Sequence, residues 1–320
     1  MVVRHYTFVD YATQTYVVLV AVLILILHDE TVPYWAWLIG AHASCLILVH
    51  VLIRLHSRGH PSNLLDILRH FYPLLLYLFF FAETGWLNRM IFKEYMDPIA
   101  IHWDQALFGY QPSIVLMQKF PYPTLSELFY AAYFSYYLMI AGVGLALFLR
   151  NRGQFFHYVS VVSFVFYICY IIYIILPIIG PRVFLEPVGG YILPEASRLL
   201  APNAFYPDTV QRGIFFKLMA FIYRVFEAPG SAIPSSHVAI AVCTLVFSFF
   251  YLRRIRYLHL AMVILLCLAT IYCRYHYVVD VMAGLTAAAI LVPLGNRLYH
   301  SVGGDLLARR QEPFRPQASS

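Results

Sequence analysis

The chain has 320 residues, of which 61% are hydrophobic and only 12% charged, and its mean hydropathy is +0.71. On an apolar set that counts Gly and leaves out Tyr the share is still roughly 58%, against about 45 to 50% in soluble domains, which excludes a soluble globular enzyme and a disordered chain. The 22 basic and 16 acidic residues, net charge +6, are scattered through apolar blocks and make no basic face, so no nucleic-acid partner is expected and the surplus reads as membrane topology.

One basic residue, Arg4, precedes an apolar run that ends near Leu27 and is followed by His28, Asp29 and Glu30 rather than a small-residue cleavage site. This predicts a retained anchor and not a removable signal peptide. A helix needs ~20 apolar residues to cross ~30 Å of hydrocarbon. Blocks near that length run at about 11 to 28, 33 to 53, 71 to 87, 126 to 149, 155 to 178, 236 to 252, 257 to 275 and 277 to 296. Backbone groups in lipid must be satisfied within the segment, and no series of ten-residue alternating segments is present, so these are predicted helices and not barrel strands. The expected class is an all-α polytopic transmembrane bundle of about eight crossings. His42 and His50, inside the second block, are expected to be buried polar residues. The five cysteines, Cys45, Cys169, Cys243, Cys267 and Cys273, fall in apolar blocks without a CxxC pair and are expected to be small core hydrophobes. The run from Gly213 to Glu227 is amphipathic and is expected to lie in the membrane interface.

Short cytoplasmic connections are enriched in Lys and Arg. One side collects Arg4, Arg54, Arg58, Arg69, Arg150, Arg152, Arg253, Arg254, Arg256, Arg297, Arg309, Arg310 and Arg315, thirteen of the 22. Both termini are therefore expected to be cytoplasmic, with the long loops at roughly 88 to 125 and 179 to 235 on the outer face. There, three polar clusters interrupt the apolar pattern: Gly180-Pro181-Arg182, Pro234-Ser235-Ser236-His237, and Arg274-Tyr275-His276-Tyr277-Val278-Val279-Asp280. Ionisable residues at membrane depth are costly and usually face a protein interior or a wet cavity. His276 and Asp280 stand at i and i+4, on one face if the segment is helical, so the carboxylate would hold one imidazole nitrogen as N–H and leave the other free as a nucleophile or base. Pro234 suits a first helical position, with the N–H groups of Ser235, Ser236 and His237 forming an anion site. Arg182 and Arg274 would add planar bidentate charge. Two His and one Asp also suit zinc with an open position, but the arginines favour an anion over a cation.

At these residues the chain resembles the type 2 phosphatidic acid phosphatase (PAP2) superfamily of membrane enzymes. The family's P-S-G-H motif is met as Pro234-Ser235-Ser236-His237, and its H-x-x-x-D as His276 to Asp280. The K-x6-R-P motif is not met: Ile175 stands seven before Arg182, and Pro181 precedes the arginine. Thr270 stands where the third motif carries arginine, and Arg274, four residues on, is expected on the same helical face, within reach of a phosphate. The Gly-Pro-Arg form, the Arg274 to Asp280 run and Trp103 to Gly109 (WDQALFG) are similar to the branch containing inositol phosphorylceramide synthase, whose members transfer phospho-head groups between lipids. The resemblance implies residues 126–300 as a PAP2-like catalytic core, preceded by N-terminal transmembrane helices and an outer loop over 1–125 and followed by a disordered tail over 301–320. It further implies metal-independent phosphoryl transfer without a cofactor, on a phospholipid or lipid phosphate, with water or an acceptor alcohol or lipid taking the group. Catalytic His276, His237 and Asp280 and phosphate-binding Arg182, Arg274, Ser235 and Ser236 are the implied site. The rival expectation is a non-enzymatic lipid-phosphate transporter or scaffold on the same helices. The orientation has a direct test: in intact cells a cysteine placed by Ser62→Cys is expected to resist a membrane-impermeant thiol reagent and one placed by Ala201→Cys to react, and the reverse labelling overturns it.

Overall fold

The computed structural model describes residues 5–58, 62–185, 205–226 and 230–302. Its helices are α1 (Phe8–Leu27), α2 (Trp35–Ser57), α3 (Asn63–Leu87), α4 (Asp97–Phe108), α5 (Pro112–Lys119), α6 (Pro123–Arg150), α7 (Arg152–Ile175), the single turn α8 (Pro181–Phe184), the single turn α9 (Asp208–Gln211), α10 (Ile214–Phe226), α11 (Ser236–Tyr251), α12 (Arg256–Tyr272) and α13 (Val278–Ser301). Among the described residues no strand forms beyond one isolated parallel bridge between Ile178 and Ser231. The tail beyond residue 302 lies outside the described residues.

The polytopic helical class is what the hydropathy predicts. Six helices (α1, α2, α3, α6, α7 and α13) are long and apolar enough to cross a membrane, while α11 and α12 are apolar but have 16 and 17 residues. At ~1.5 Å per residue these two reach about 25 Å, short of a full hydrocarbon core. The ends follow local chemistry. Ser62 and Asn151 cap α3 and α7 by accepting the N–H of Leu65 at 3.3 Å and of Gln154 at 3.0 Å. Pro112 and Pro123 open α5 and α6, where their missing N–H costs nothing.

Helix α7 is the axis of the bundle, packing against α1, α3, α6, α11 and α13. The cysteines are all free; Cys169, Cys243 and Cys273 are buried and Cys45 and Cys267 half-buried, as expected of core hydrophobes. Two expectations need correction. His42 is buried, but His50 is exposed, its Nδ1 paired with the Tyr6 hydroxyl at 2.6 Å. Helix α3 begins at Asn63 and not near 71, so Arg69 is no loop cation. Arg69 is 4% exposed and ion-paired at 2.6 Å with Asp10, which is fully buried and also accepts from Tyr72 and Thr7. The polar stretch Asp66-Arg69-His70 lowers hydropathy, yet it is helical because its charges meet partners on other turns.

At the arginine-bearing end, Arg150 donates to the carbonyl of Tyr251 at 3.0 Å, and His157 lies between the Tyr251 hydroxyl (2.8 Å) and Asn296 Oδ1 (2.6 Å). Helices α6, α7, α11 and α13 are thus tied there, opposite the end where α7 stops and α13 starts. Helix α10 is amphipathic as predicted, packs on α6, and is capped by Glu127, whose Oε2 accepts the N–H groups of Ile214 (3.0 Å) and Phe215 (3.1 Å) and whose Oε1 also accepts that of Phe215 (3.2 Å). Replacing Arg69 by Ala leaves Asp10 buried without its cation. The expected cost is about 3 to 5 kcal/mol, read as a lowered midpoint of unfolding in detergent, and an unchanged midpoint contradicts this account of the pair.

Candidate active site

Three segments from distant parts of the chain meet at one end of the bundle. The first follows α7. Ile178 accepts the N–H of Ala232 at 2.8 Å, and Gly180 then takes φ +89°, with its position for a Cβ only 2.7 Å from the Tyr275 carbonyl oxygen. Only glycine fits both the backbone angle and that approach. Arg182 follows in α8, its guanidinium 4.7 Å from the ring centre of Tyr223 and 5.8 Å from that of Tyr275, a cation-π seat that holds it flat.

The second segment opens α11. Pro234 is not the first helical residue: the helix begins at Ser236, with Ser235 as its cap accepting from Val238 N at 3.4 Å. The N–H groups expected to bind an anion are largely used by the protein. Ser235 N donates to the Asp280 carbonyl at 3.0 Å and Ser236 N to the Tyr173 hydroxyl at 3.0 Å, which in turn donates to Pro234 O at 2.8 Å. Both serines are buried and neither lines the cavity described below. They shape the turn that presents His237, whose ring lies 5.1 Å from that of Tyr133 and 4.7 Å from that of Tyr136.

The third segment joins α12 to α13. Helix α12 ends at Tyr272, Arg274 takes φ +64°, and the N–H groups of Tyr275 and His276 fold back onto the Thr270 carbonyl at 3.0 and 3.1 Å. His276 and Asp280 meet as expected, though not across a helical face. His276 precedes the helix cap Tyr277, and Asp280 is the third helical residue, accepting from Tyr277 N at 2.9 Å in a capping box. His276 Nδ1 stands 3.4 Å from Asp280 Oδ2, and its Nε2 stands 3.5 Å from His237 Nδ1. Burial pushes the His276 imidazole down to about 3, so the ring is neutral at physiological pH with a lone pair available.

Arg274 does not join them. Because its backbone turns left-handed just past the helix, the helical-face expectation fails and the guanidinium points elsewhere. It donates to the carbonyls of Phe205 and, at 3.3 Å, of Ile114, and lies 4.5 Å from the Phe205 ring centre, fully buried. The cavity at the histidines, about 40 Å³, is lined by Phe81, Ile179, Arg182, Tyr223, His237 and His276 among others. Arg182 is the cationic side chain in that lining. Among the described residues no three His, Cys, Asp or Glu side chains converge as a metal site would require, and His276 Nδ1 is turned to Asp280 and not to a shared centre.

Several participants escaped the sequence reading. Asp97 and Asp104 of α4 are fully buried. Asp97 accepts from Ile179 N and Gly180 N, each at 2.9 Å, and from the Tyr277 hydroxyl at 3.0 Å. Asp104 accepts from Val278 N at 2.9 Å and Val279 N at 3.0 Å. Burial pushes the Asp97 carboxyl up to about 7, against the pull of its three donors. Tyr223 of α10 and Tyr133 of α6 each stack against Tyr275 at 4.4 Å between ring centres, and their hydroxyls bond to each other. The signals available for the carboxylates were two acids seven residues apart, on one face of a helix, and, for Asp104, its place in the Trp103 to Gly109 stretch.

A family model described as the PAP2 superfamily matches residues 100–294. Neither a search of curated proteins nor one of solved structures found a match. The Gly180 geometry carries its own test. In Gly180→Ala the new methyl meets the Tyr275 carbonyl in a strained backbone, a penalty of about 1 to 3 kcal/mol, and the segment bearing Arg182 must shift. Lowered unfolding midpoint together with weakened orthophosphate or vanadate binding is expected, and wild-type values for both refute the reading.

Proposed function

The chain belongs to the PAP2 superfamily, and from that premise we propose that this integral membrane protein is a lipid phosphatase or phosphotransferase working through a phosphohistidine at His276. The observation that carries the proposal is the pairing of a neutral, buried imidazole with Asp280 on one nitrogen and with His237 and the cavity on the other.

In the first step His276 Nε2 attacks phosphorus while the bond from phosphorus to the leaving alkoxide breaks, and His237, entering as the imidazolium paired with the anionic phosphate, delivers its proton to that alkoxide and is left neutral. Asp280 accepts the Nδ1–H and balances the charge that grows on the ring. In the second step His237 takes a proton from water or an acceptor alcohol, whose oxygen displaces His276 from phosphorus. Arg182, held flat by Tyr223 and Tyr275, supplies charge to the transferring oxygens, a contribution whose removal typically costs about 10²-fold or more. Arg274 serves by anchoring the turn beside His276, and Ser235 and Ser236 by shaping the presentation of His237.

The end of the bundle opposite the histidines carries Arg150, Arg152, Arg253, Arg254 and Arg297, which supports an extracytoplasmic site with cytoplasmic termini. The Gly-Pro-Arg form and the Asp104-containing stretch of α4 support transfer to an acceptor lipid, in the manner of inositol phosphorylceramide synthase, over simple hydrolysis.

The test is turnover by the purified full chain in chelator, with phosphatidic acid, or with phosphatidylinositol plus ceramide or diacylglycerol, following free phosphate and new phospholipid separately. The expected result is metal-independent turnover that falls about 10³-fold or more in His276→Ala. In His237→Ala, an acid-labile, base-stable phosphoryl label is expected to persist on His276. Turnover surviving His276→Ala, or lipid movement without turnover, overturns the enzyme in favour of a transporter.

A further inference from the structure

The proposed chemistry requires Arg182 and His276 to stand at a fixed separation, yet the chain places them on segments almost a hundred residues apart. Helix α4 lies against α13 and presents two buried carboxylates seven residues, two turns, apart on one face. Asp97 touches both segments at once. Its oxygens take the N–H groups of Ile179 and Gly180, the residues leading into Arg182, and the hydroxyl of Tyr277, the residue after His276. Asp104 takes the N–H groups of Val278 and Val279, the first two donors of α13, which have no partner within the helix. With those donors satisfied from α4, Asp280 Oδ2 is left to the Tyr277 N–H and His276 Nδ1, while its Oδ1 is buried without a hydrogen bond.

We propose that Asp97 and Asp104 are positioning residues of the phosphoryl-transfer site: Asp97 fixes the segment of Arg182 to that of His276, and Asp104 caps α13 so that Asp280 is left to orient the nucleophile. The proposal rests on the phosphohistidine reading for its kinetic consequence, but not for its geometric one. Asp97 lies outside the segment matched by the family model, so the part of the chain before the matched core completes the site. The three donors to Asp97 come from residues 179, 180 and 277, which makes the carboxylate a junction and not a local helix cap. Supporting partners of this kind typically carry about 10- to 100-fold in activity when removed.

The experiment compares Asp97→Asn, Tyr277→Phe and their double variant in the full chain, with Asp66→Asn, whose carboxylate pairs with His56 and His70 at the opposite end, as a remote control. Two readouts are taken. The first is kcat and KM on the lipid phosphate that the wild type turns over. The second is the rate at which diethyl pyrocarbonate modifies His276, followed by mass spectrometry, which needs no turnover. Expected are a kcat loss of about 10- to 100-fold in Asp97→Asn with KM within about threefold, a smaller loss in Tyr277→Phe, and a double variant whose loss is less than the two combined, since both act through one junction. The His276 modification rate is expected to change several-fold in each and to stay at the wild-type value in Asp66→Asn. Independent, additive losses, or a lowered unfolding midpoint with kcat per folded molecule and His276 reactivity unchanged, overturn the proposal. If Asp97→Asn does not fold, the single hydroxyl removed in Tyr277→Phe decides the matter by the same two readouts. A wild type that turns over no lipid phosphate sinks the phosphohistidine reading, while the modification rates still decide whether Asp97 holds His276.

Discussion

A polar group enclosed in a lipid-embedded bundle has to find its partner in the protein, because hydrocarbon offers none. That constraint organises the molecule at both ends. Near the arginine-bearing end Asp10 is surrounded by Arg69, Tyr72 and Thr7, and His157 by Tyr251 and Asn296. At the other end the same requirement produces the site. Tyr173 serves the turn before α11 with one hydroxyl that both donates and accepts, and α4 supplies carboxylates to backbone donors that helix ends leave open. Arg182, His237 and His276 are the groups that line the cavity once these obligations are met.

Much of this was legible in the sequence, and the reasons are specific. Apolar blocks mark helices because a backbone crossing lipid has no alternative, and ionisable clusters at shared depth mark a site because their cost must be justified. Asp280 was assignable to His276 from a four-residue interval, which brings the two together even though the residues form a capping box rather than a helical face. Arg274 was misplaced because the interval from Thr270 assumes an unbroken helix, and α12 stops at Tyr272. Two residues of non-helical backbone reverse the direction of a side chain, and no periodicity reports that. Asp97 and Asp104 were missed for a different reason. Their partners are backbone N–H groups more than eighty residues away, and a backbone donor has no residue type by which to recognise it.

The departures from the family's motifs acquire a physical meaning in the structure. With isoleucine at position 175 and threonine at 270, and with Arg274 committed to carbonyls of Phe205 and Ile114, the described wall of the cavity carries one guanidinium. That group rests beside the Tyr223 and Tyr275 rings, 4.7 and 5.8 Å from their centres. The backbone at position 270 sets the turn itself: its carbonyl receives the N–H groups of both Tyr275 and His276, whatever side chain it bears.

The cap on α10 has a mechanical consequence. Glu127 grips the first turn of that helix, while Tyr223, nine residues along, carries the ring on which Arg182 rests. The interval is a lever of about 14 Å, pivoted on α6 and loaded by whatever the apolar face of α10, with Phe221 and Val225 exposed, rests upon. A tilt of about ten degrees at the pivot carries the Tyr223 ring by about 2 Å, comparable with the difference between a guanidinium that meets a phosphoryl oxygen and one that misses it.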